Sequence, residues 1–334
     1  MVQAQRRLAG GLPAVGAGML ARLGFVASVL SEGISTSRTC RLKNATPVRI
    51  RELITENLAA LDRVITFLQR HTILLYRITS NLIPFASHPV NELAWWDEFR
   101  PQLTAIGHRI RDFGIRVSTH PGQFTVLNSP TAVIVKAAVA ELEYHARLLD
   151  ALGVDTSAKI IVHLGGLYAG SEALAMDRFC RVASELPAGV RRRVVVENDD
   201  RLFDAEEVLS VAQRLNVPVV FDWLHHNANR CSAPLADVLP AIFATWQPED
   251  GRPKVHLSSQ APDGPAGAHA DFVAVTDALA LFKGIPQHPF DCMLEAKKKD
   301  RAVLKLRTAL RRRGIVETDV LLAMTSRGVT RRSL

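Results

Sequence analysis

Eight short apolar runs, each followed by a segment of helical periodicity, limit most strongly how this chain can fold. The runs are Leu23–Ser28, Leu74–Thr79, Arg116–Thr119, Lys159–His163, Val194–Glu197, Pro218–Asp222, Lys254–Leu257 and Asp291–Glu295. They are rich in Val, Ile and Leu, the pattern of parallel strands buried on both faces. The segments between them read as helices. Residues 46–70 place Leu53, Leu58, Leu61 and Phe67 at helical spacing behind Thr46-Pro47. Residues 132–152 run up to Gly153, and residues 204–215 open with Asp204 and carry Glu207 three places on, as in a capping box. Eight strands alternating with eight helices predict a single (β/α)8 TIM barrel. The 334 residues suit one barrel of about 250 residues with insertions. The open doubly wound sheet is the competing fold, but no Gly-rich phosphate loop follows the first run.

Residues 22–315 show no linker, repeat or low-complexity stretch and read as one domain. Residues 1–21 are basic at the start and then Ala- and Gly-rich, and read as a disordered tail or a start assigned too early, with Met19 as the alternative. Residues 316–334 read as a C-terminal extension, either a last helix or loose chain. No apolar stretch reaches the roughly 20 residues of a membrane helix, so no membrane association is expected. Cys40, Cys180, Cys231 and Cys292 form no close pair, which suits a reducing cytoplasm.

In such a barrel, side chains at the C-terminal ends of the strands converge on one mouth. Here those positions carry metal-type ligands one strand after another. The second run leads to His88, the third to His120, the fourth to His163 and the fifth to Glu197. The sixth leads to Asp222 and His225, the seventh to His256 with His269 in its loop, and the eighth to Glu295. A single His at a strand end is ordinarily a packed, hydrogen-bonded residue, and a single buried Glu can pair with a core Arg. Glu197, however, directly follows Val194-Val195-Val196, where a carboxylate is costly without a compensating cation. Seven consecutive strands offering such groups at one rim are hard to explain by packing. His71, His108, His145, His226 and His288 fall on helices, in loops or beside a better candidate, and read as structural.

Nitrogen and carboxylate donors without thiolate suit zinc, manganese or iron. One catalytic ion takes about three protein ligands, so nine candidates imply two or three divalent ions sharing a carboxylate, with Glu197 in mid-ring as the natural bridge. Ions about 3.5–4 Å apart clamp the attacking and leaving oxygens of a phosphoryl displacement. The net charge of +8 favours an acidic partner, most commonly nucleic acid. Arg38, Arg41 and Lys43 after the first run and Lys297, Lys298 and Lys299 after the eighth share the metal-bearing face, where they read as phosphate contacts.

Several longer motifs go beyond generic barrel signals. They are Leu23-Gly24-Phe25 with Thr36-Ser37-Arg38-Thr39, His120-Pro121-Gly122-Gln123-Phe124, Val196-Glu197-Asn198-Asp199, Phe221-Asp222-Trp223-Leu224-His225-His226, Lys254-Val255-His256-Leu257-Ser258-Ser259 and Met293-Leu294-Glu295-Ala296-Lys297. Over roughly residues 22–310 the chain resembles the UV damage endonucleases, relatives of the endonuclease IV barrels. The resemblance implies nicking of damaged double-stranded DNA immediately 5′ to cyclobutane pyrimidine dimers and 6-4 photoproducts, leaving a 3′-hydroxyl and a 5′-phosphate. It implies a divalent metal cluster, usually Mn2+ with Zn2+ as the alternative. Carried over residue by residue, it assigns His88, His120, His163 and Glu197 to a first ion. Glu197, Asp222, His256 and Glu295 fall to a second, and His225 and His269 to a third with Lys254 close by, a lysine open to carboxylation. Glu197 and Lys254 are the expected catalytic residues. Gln123 and Phe124 match a pair that probes the damaged duplex. Phe124 and Phe25 stand where the family often has Tyr, which keeps stacking and loses a phenolic hydrogen bond. No organic cofactor is expected, and a monomer in the cytoplasm beside the nucleoid is.

Three rival readings share features with this one. An abasic-site endonuclease of the endonuclease IV type has the metals without the damage probe. A sugar isomerase-like barrel has the metals without need of basic loops. A damage-binding protein on a decayed barrel has lost a ligand, and no ligand is missing here.

Overall fold

Each apolar run forms a strand, since a β-branched run walled by amphipathic helices can bury both faces only inside a parallel sheet. The computed structural model describes residues 19–168 and 170–326, so residues 1–18 of the tail expected at residues 1–21 lie outside the described residues. The strands are β1 (Leu20–Val26), β2 (Leu75–Ile78), β3 (Arg116–Thr119), β4 (Lys159–Val162), β5 (Val194–Glu197), β6 (Val219–Asp222), β7 (Lys254–Leu257) and β8 (Phe290–Leu294). They pair in parallel in chain order, and β8 closes on β1. The fold is the (β/α)8 TIM barrel expected from the alternation of strand and helix.

One main helix follows each strand: α1 (Pro47–Arg70), α2 (Arg100–Asp112), α3 (Ala132–Ala151), α4 (Glu172–Ser184), α5 (Ala205–Leu215), α6 (Leu235–Ala244), α7 (Val275–Gly284) and α8 (Lys299–Arg311). A further helix, α9 (Thr318–Ser326), lies beyond the barrel proper. Thr46 caps α1 by accepting from the Arg49 N–H, with Pro47 next in line. Asp204 and Glu207 close a reciprocal capping box on α5. Among the described residues, no helix is long and apolar enough to cross a membrane.

β1 starts before the boundary expected from sequence. Leu20 and Ala21 are buried, and Leu20 pairs with Phe290, because closing the barrel needs a full-length partner for β8. Gly24 permits a tight β1–β2 approach, since a Cβ there would fall 2.4 Å from the Leu75 carbonyl oxygen. Phe25 is fully buried, with ring centroids 6.1 Å from Phe67 and 5.5 Å from Tyr76. It therefore packs the barrel wall, where the ring contacts kept by a Phe at this position are made with Phe67 and Tyr76.

Strand alternation sorts the interior into layers. Leu75 and Met293 meet Val26, while Ile161, Val195 and Val220 meet Trp246, making an apolar middle. The floor beneath it is charged: Arg116 pairs with Asp291 at 2.9 Å and Lys159 with Asp250 at 2.5 Å. Helix α9 covers this floor, where Asp319 accepts from Arg22 at 2.7 Å and from Arg252 at 2.5 Å. The opposite layer, at the C-terminal mouth, holds the candidate site.

Candidate metal centre

A carboxylate at the end of an all-valine strand has no water to solvate it, so its partners must come from neighbouring strands. Glu197, 1% exposed, ends β5. Its Oε2 lies 3.0 Å from His120 Nε2 and 3.5 Å from His163 Nε2, while its Oε1 lies 2.5 Å from His256 Nδ1. Burial would raise the Glu197 carboxyl, but His256, His163 and His120 outweigh it and hold the group well below the usual carboxylate range.

Two ligand groups share Glu197. His120, His163 and Glu197 form one; Glu197, Asp222, His256 and Glu295 form the other, the ligand atoms of each lying within 4.8 Å of one another. Three of the four residues in the second group are carboxylates, and the charge shows. Burial, with Glu197 and Glu295 nearby, pushes Asp222 up to about 7. Its Oδ2 is buried and has no hydrogen-bond partner among the described residues, and neither has His163 Nδ1. Orphaned acceptors beside clustered carboxylates fit a divalent cation, which would supply the missing positive charge and bonds.

His225 and His269 border the second group. The His225 Nδ1 is 3.8 Å from Asp222 Oδ1, and its ring centroid is 6.3 Å from that of His269. His225 Nδ1 donates to the Asn198 carbonyl at 2.9 Å, His269 Nδ1 to the Glu295 carbonyl at 2.5 Å and His120 Nδ1 to the Pro121 carbonyl at 3.0 Å. A backbone carbonyl on Nδ1 fixes the tautomer that presents the Nε2 lone pair, which is how metal-ligating histidines are held. Burial alone would lower His225, but Asp222 and Glu197 raise it to about 9.

Two expected participants stand elsewhere. His88 is exposed on the loop after β2 and is not among the grouped ligands. Its Nδ1 accepts from the Val90 N–H at 3.0 Å, so a neutral ring carries its proton on Nε2, the reverse of the ligand tautomer above. Lys254 begins β7, two residues and so about 6.6 Å of strand rise below His256. The charged floor acts on it through Arg116, Asp291 and Lys159 and the mouth through Arg77, while His225 and His269, expected beside it, are not among the groups that act on it most. Burial drives its amine well below the usual lysine range, and its Nζ has no hydrogen-bond partner among the described residues. Strand alternation explains the displacement: i and i+2 share a face but not a layer.

The loop after β3 turns at once. The Thr125 N–H donates to the Gly122 carbonyl at 2.9 Å, leaving Gln123 and Phe124 exposed at the turn; Phe124 is 75% exposed. Arg41, Lys43 and Lys297 are exposed as well. Arg38 is already engaged, 3.2 Å from Glu56 and donating to the Ser35 carbonyl. The structural readings of His145 and His226 agree with their burial and with their contacts to Glu141 and Phe221.

Sequence reasoning missed two residues at this mouth. Arg77, on β2, is buried against the second ligand group; an Arg inside Leu74-Leu75-Tyr76-Arg77-Ile78 was the available signal, since a buried cation demands a partner. Tyr168, in the loop after β4, is 41% exposed with φ of 53°, a left-handed backbone rare for a bulky residue. Nothing in its local sequence announces that strain.

The sequence profile described as UV-endonuclease UvdE matches residues 21–323. A UV DNA damage endonuclease of Bacillus cereus (strain G9842) is 37% identical over 261 residues, 77% of this chain and 82% of that protein. A crystal structure described as SacUVDE superposes with a TM-score of 0.83 at 33% identity, covering 89% of this chain and 100% of the other. Endonuclease IV from Thermus thermophilus shares the fold, with a TM-score of 0.55 at 17% identity over 87% of this chain and 99% of the other. With a profile spanning nearly the whole barrel and a relative this similar over most of both lengths, the chain belongs to the UV-endonuclease UvdE family.

Proposed function

We propose that this protein is a metal-dependent DNA repair endonuclease that nicks duplex DNA 5′ to UV photoproducts, leaving a 3′-hydroxyl and a 5′-phosphate. The observation that carries the reading is Glu197, whose two carboxylate oxygens serve both ligand groups at the barrel mouth. Two or three divalent ions, Mn2+ first and Zn2+ second, would be held by His120, His163, Glu197, Asp222, His256 and Glu295, with His225 and His269 at the border. When bound, such ions polarise the phosphodiester and stabilise charge on the attacking and leaving oxygens.

The chain's own residues do the rest. Glu197 fixes the spacing of the two groups, and the carbonyls of Pro121, Asn198 and Glu295 orient the histidines. Exposed Gln123 and Phe124 enter the duplex at the lesion, where stacking is already weak and opening costs less than the few kcal/mol of an intact step. The Phe124 ring fills the gap, and base–aromatic stacking contributes about 1–3 kcal/mol. Arg41, Lys43 and Lys297 bind phosphates, with Arg38 in a lesser part because Glu56 already balances it. Lys254 is proposed as a carboxylated lysine. Burial favours the uncharged form of its amine, the form that adds carbon dioxide, releasing a proton, and the resulting carbamate would face Arg116, Lys159 and Arg77. The protein acts as a cytoplasmic monomer on nucleoid DNA.

The test is nicking of a duplex bearing one defined thymine dimer, with and without EDTA and added Mn2+. Cleavage 5′ to the dimer that EDTA stops and Mn2+ restores is the expected result. Cleavage of an abasic duplex but not of the dimer duplex would replace this function with the abasic-site one.

A further inference from the structure

We propose that Arg77 competes with a divalent cation for the second ligand group and so makes it the weaker of the two metal sites; this rests on the metal reading above. Arg77 is 8% exposed and points into the barrel. Its Nη1 lies 2.5 Å from Glu295 Oε1, and its Nη2 lies 2.6 Å from His256 Nε2. The guanidinium thus sits on two of the four residues that form the group.

The imidazole makes the two occupants exclusive. His256 Nδ1 lies 2.5 Å from Glu197 Oε1, so that nitrogen carries the proton and donates. Nε2 then has the lone pair and accepts from Arg77. A cation that takes Nε2 removes the acceptor of Arg77. A cation that takes Nδ1 sends the proton to Nε2, where it faces another N–H. On either nitrogen, metal coordination breaks the Arg77–His256 hydrogen bond. Arg77 also opposes a second positive charge at a few ångströms.

The first group has no such competitor. Among the described residues, no Lys or Arg side chain makes a hydrogen bond or ion pair with His120, His163 or Glu197. Arg77 is also free to yield: its Nε is buried and has no hydrogen-bond partner among the described residues, so only its outer nitrogens tether it. Removing the guanidinium should therefore tighten one site and leave the other alone.

Calorimetric titration of chelator-stripped full-length protein with Mn2+ tests this, comparing wild type with Arg77→Gln and Arg77→Lys. The expected result is two unequal sites in the wild type, with the weaker tightened about tenfold in Arg77→Gln, within the usual range of coupling between two sites. Arg77→Lys keeps a charge but reaches only one acceptor, so it should show a smaller gain, and it carries the test if the Gln variant does not fold. A second site that is unchanged or weakened in a folded variant overturns the proposal, since Arg77 would then be inert or a brace. A wild type that takes up no Mn2+ overturns the metal reading itself.

Discussion

Glu197→Gln should abolish nicking and both metal-binding steps while leaving the barrel intact. Gln keeps the volume at a site that is 1% exposed and can still accept from one histidine, but it gives up the attraction of His256, His163 and His120 that holds the carboxylate ionised. In EDTA the variant should therefore fold but melt somewhat below the wild type. With Mn2+ the gap should widen. An ion present at 100 times its Kd stabilises the fold by about 2.7 kcal/mol, so two ions contribute about 5 kcal/mol. For 334 residues, an unfolding entropy of about 2.1 cal/mol/K per residue sums to about 0.7 kcal/mol/K, which converts that gain to a rise in Tm of about 8 °C. Glu197 belongs to both ligand groups, so Glu197→Gln should lose nearly all of this rise. If it served one group only, about 4 °C would remain by the same conversion. Scanning calorimetry with EDTA and with Mn2+ measures the difference, and a gel assay on a single-dimer duplex measures nicking. A variant that keeps the full Mn2+-dependent rise, or that nicks at the wild-type rate, refutes the bridging argument.

Changing Gln123 and Phe124 together to Ala should reduce discrimination between damaged and undamaged duplexes while Mn2+ uptake is unchanged; wild-type discrimination would place damage sensing outside this turn. Removing Arg41 and Lys43 together should flatten the salt dependence of DNA binding by roughly 0.9 in log K per log salt for each phosphate lost, without altering lesion preference; an unchanged slope would move the DNA off that loop. Asp319 supplies the pH test. Burial would raise its carboxyl, but the hydrogen bonds from Arg252 and Arg22 and their charges lower it below its unfolded value. Its stabilising contribution is therefore complete above the unfolded value of about 3.9 and is lost as pH falls through the lower folded value. Hydrogen exchange in α9 should accelerate over that acidic window in wild type, and Asp319→Asn should be fast at neutral pH already; identical profiles would show that Asp319 does not hold α9 down.

Much of this protein was legible in the chain because the signals are local and repeated. A strand buried on both faces is apolar over most of its length, so Val194–Val196 or Ile160–Val162 announces itself without any knowledge of its neighbours. Capping is equally local, and Thr46 with Pro47 and Asp204 with Glu207 marked two helix starts. Most of the rim candidates followed from the fold, because strand ends in a barrel converge.

Layer and partner depend on geometry that no local pattern encodes. Lys254 and His256 differ by one pleat, yet one faces the charged floor and the other the ligand groups, a distinction set by strand tilt and the closure of β8 on β1. His88 lies in a loop, where the hydrogen bond from Val90 and not the strand period decides which nitrogen is presented. Arg77 was visible as a cation in an apolar strand, but its acceptor His256 lies 179 residues away along the chain, and Glu295 lies farther still. Periodicity and the cost of burying charge were enough to read the barrel and the kinds of group at its mouth from the chain. Which of those groups touch depends on register and side-chain direction, which fix the contacts between strands distant in sequence and are set only when the barrel closes.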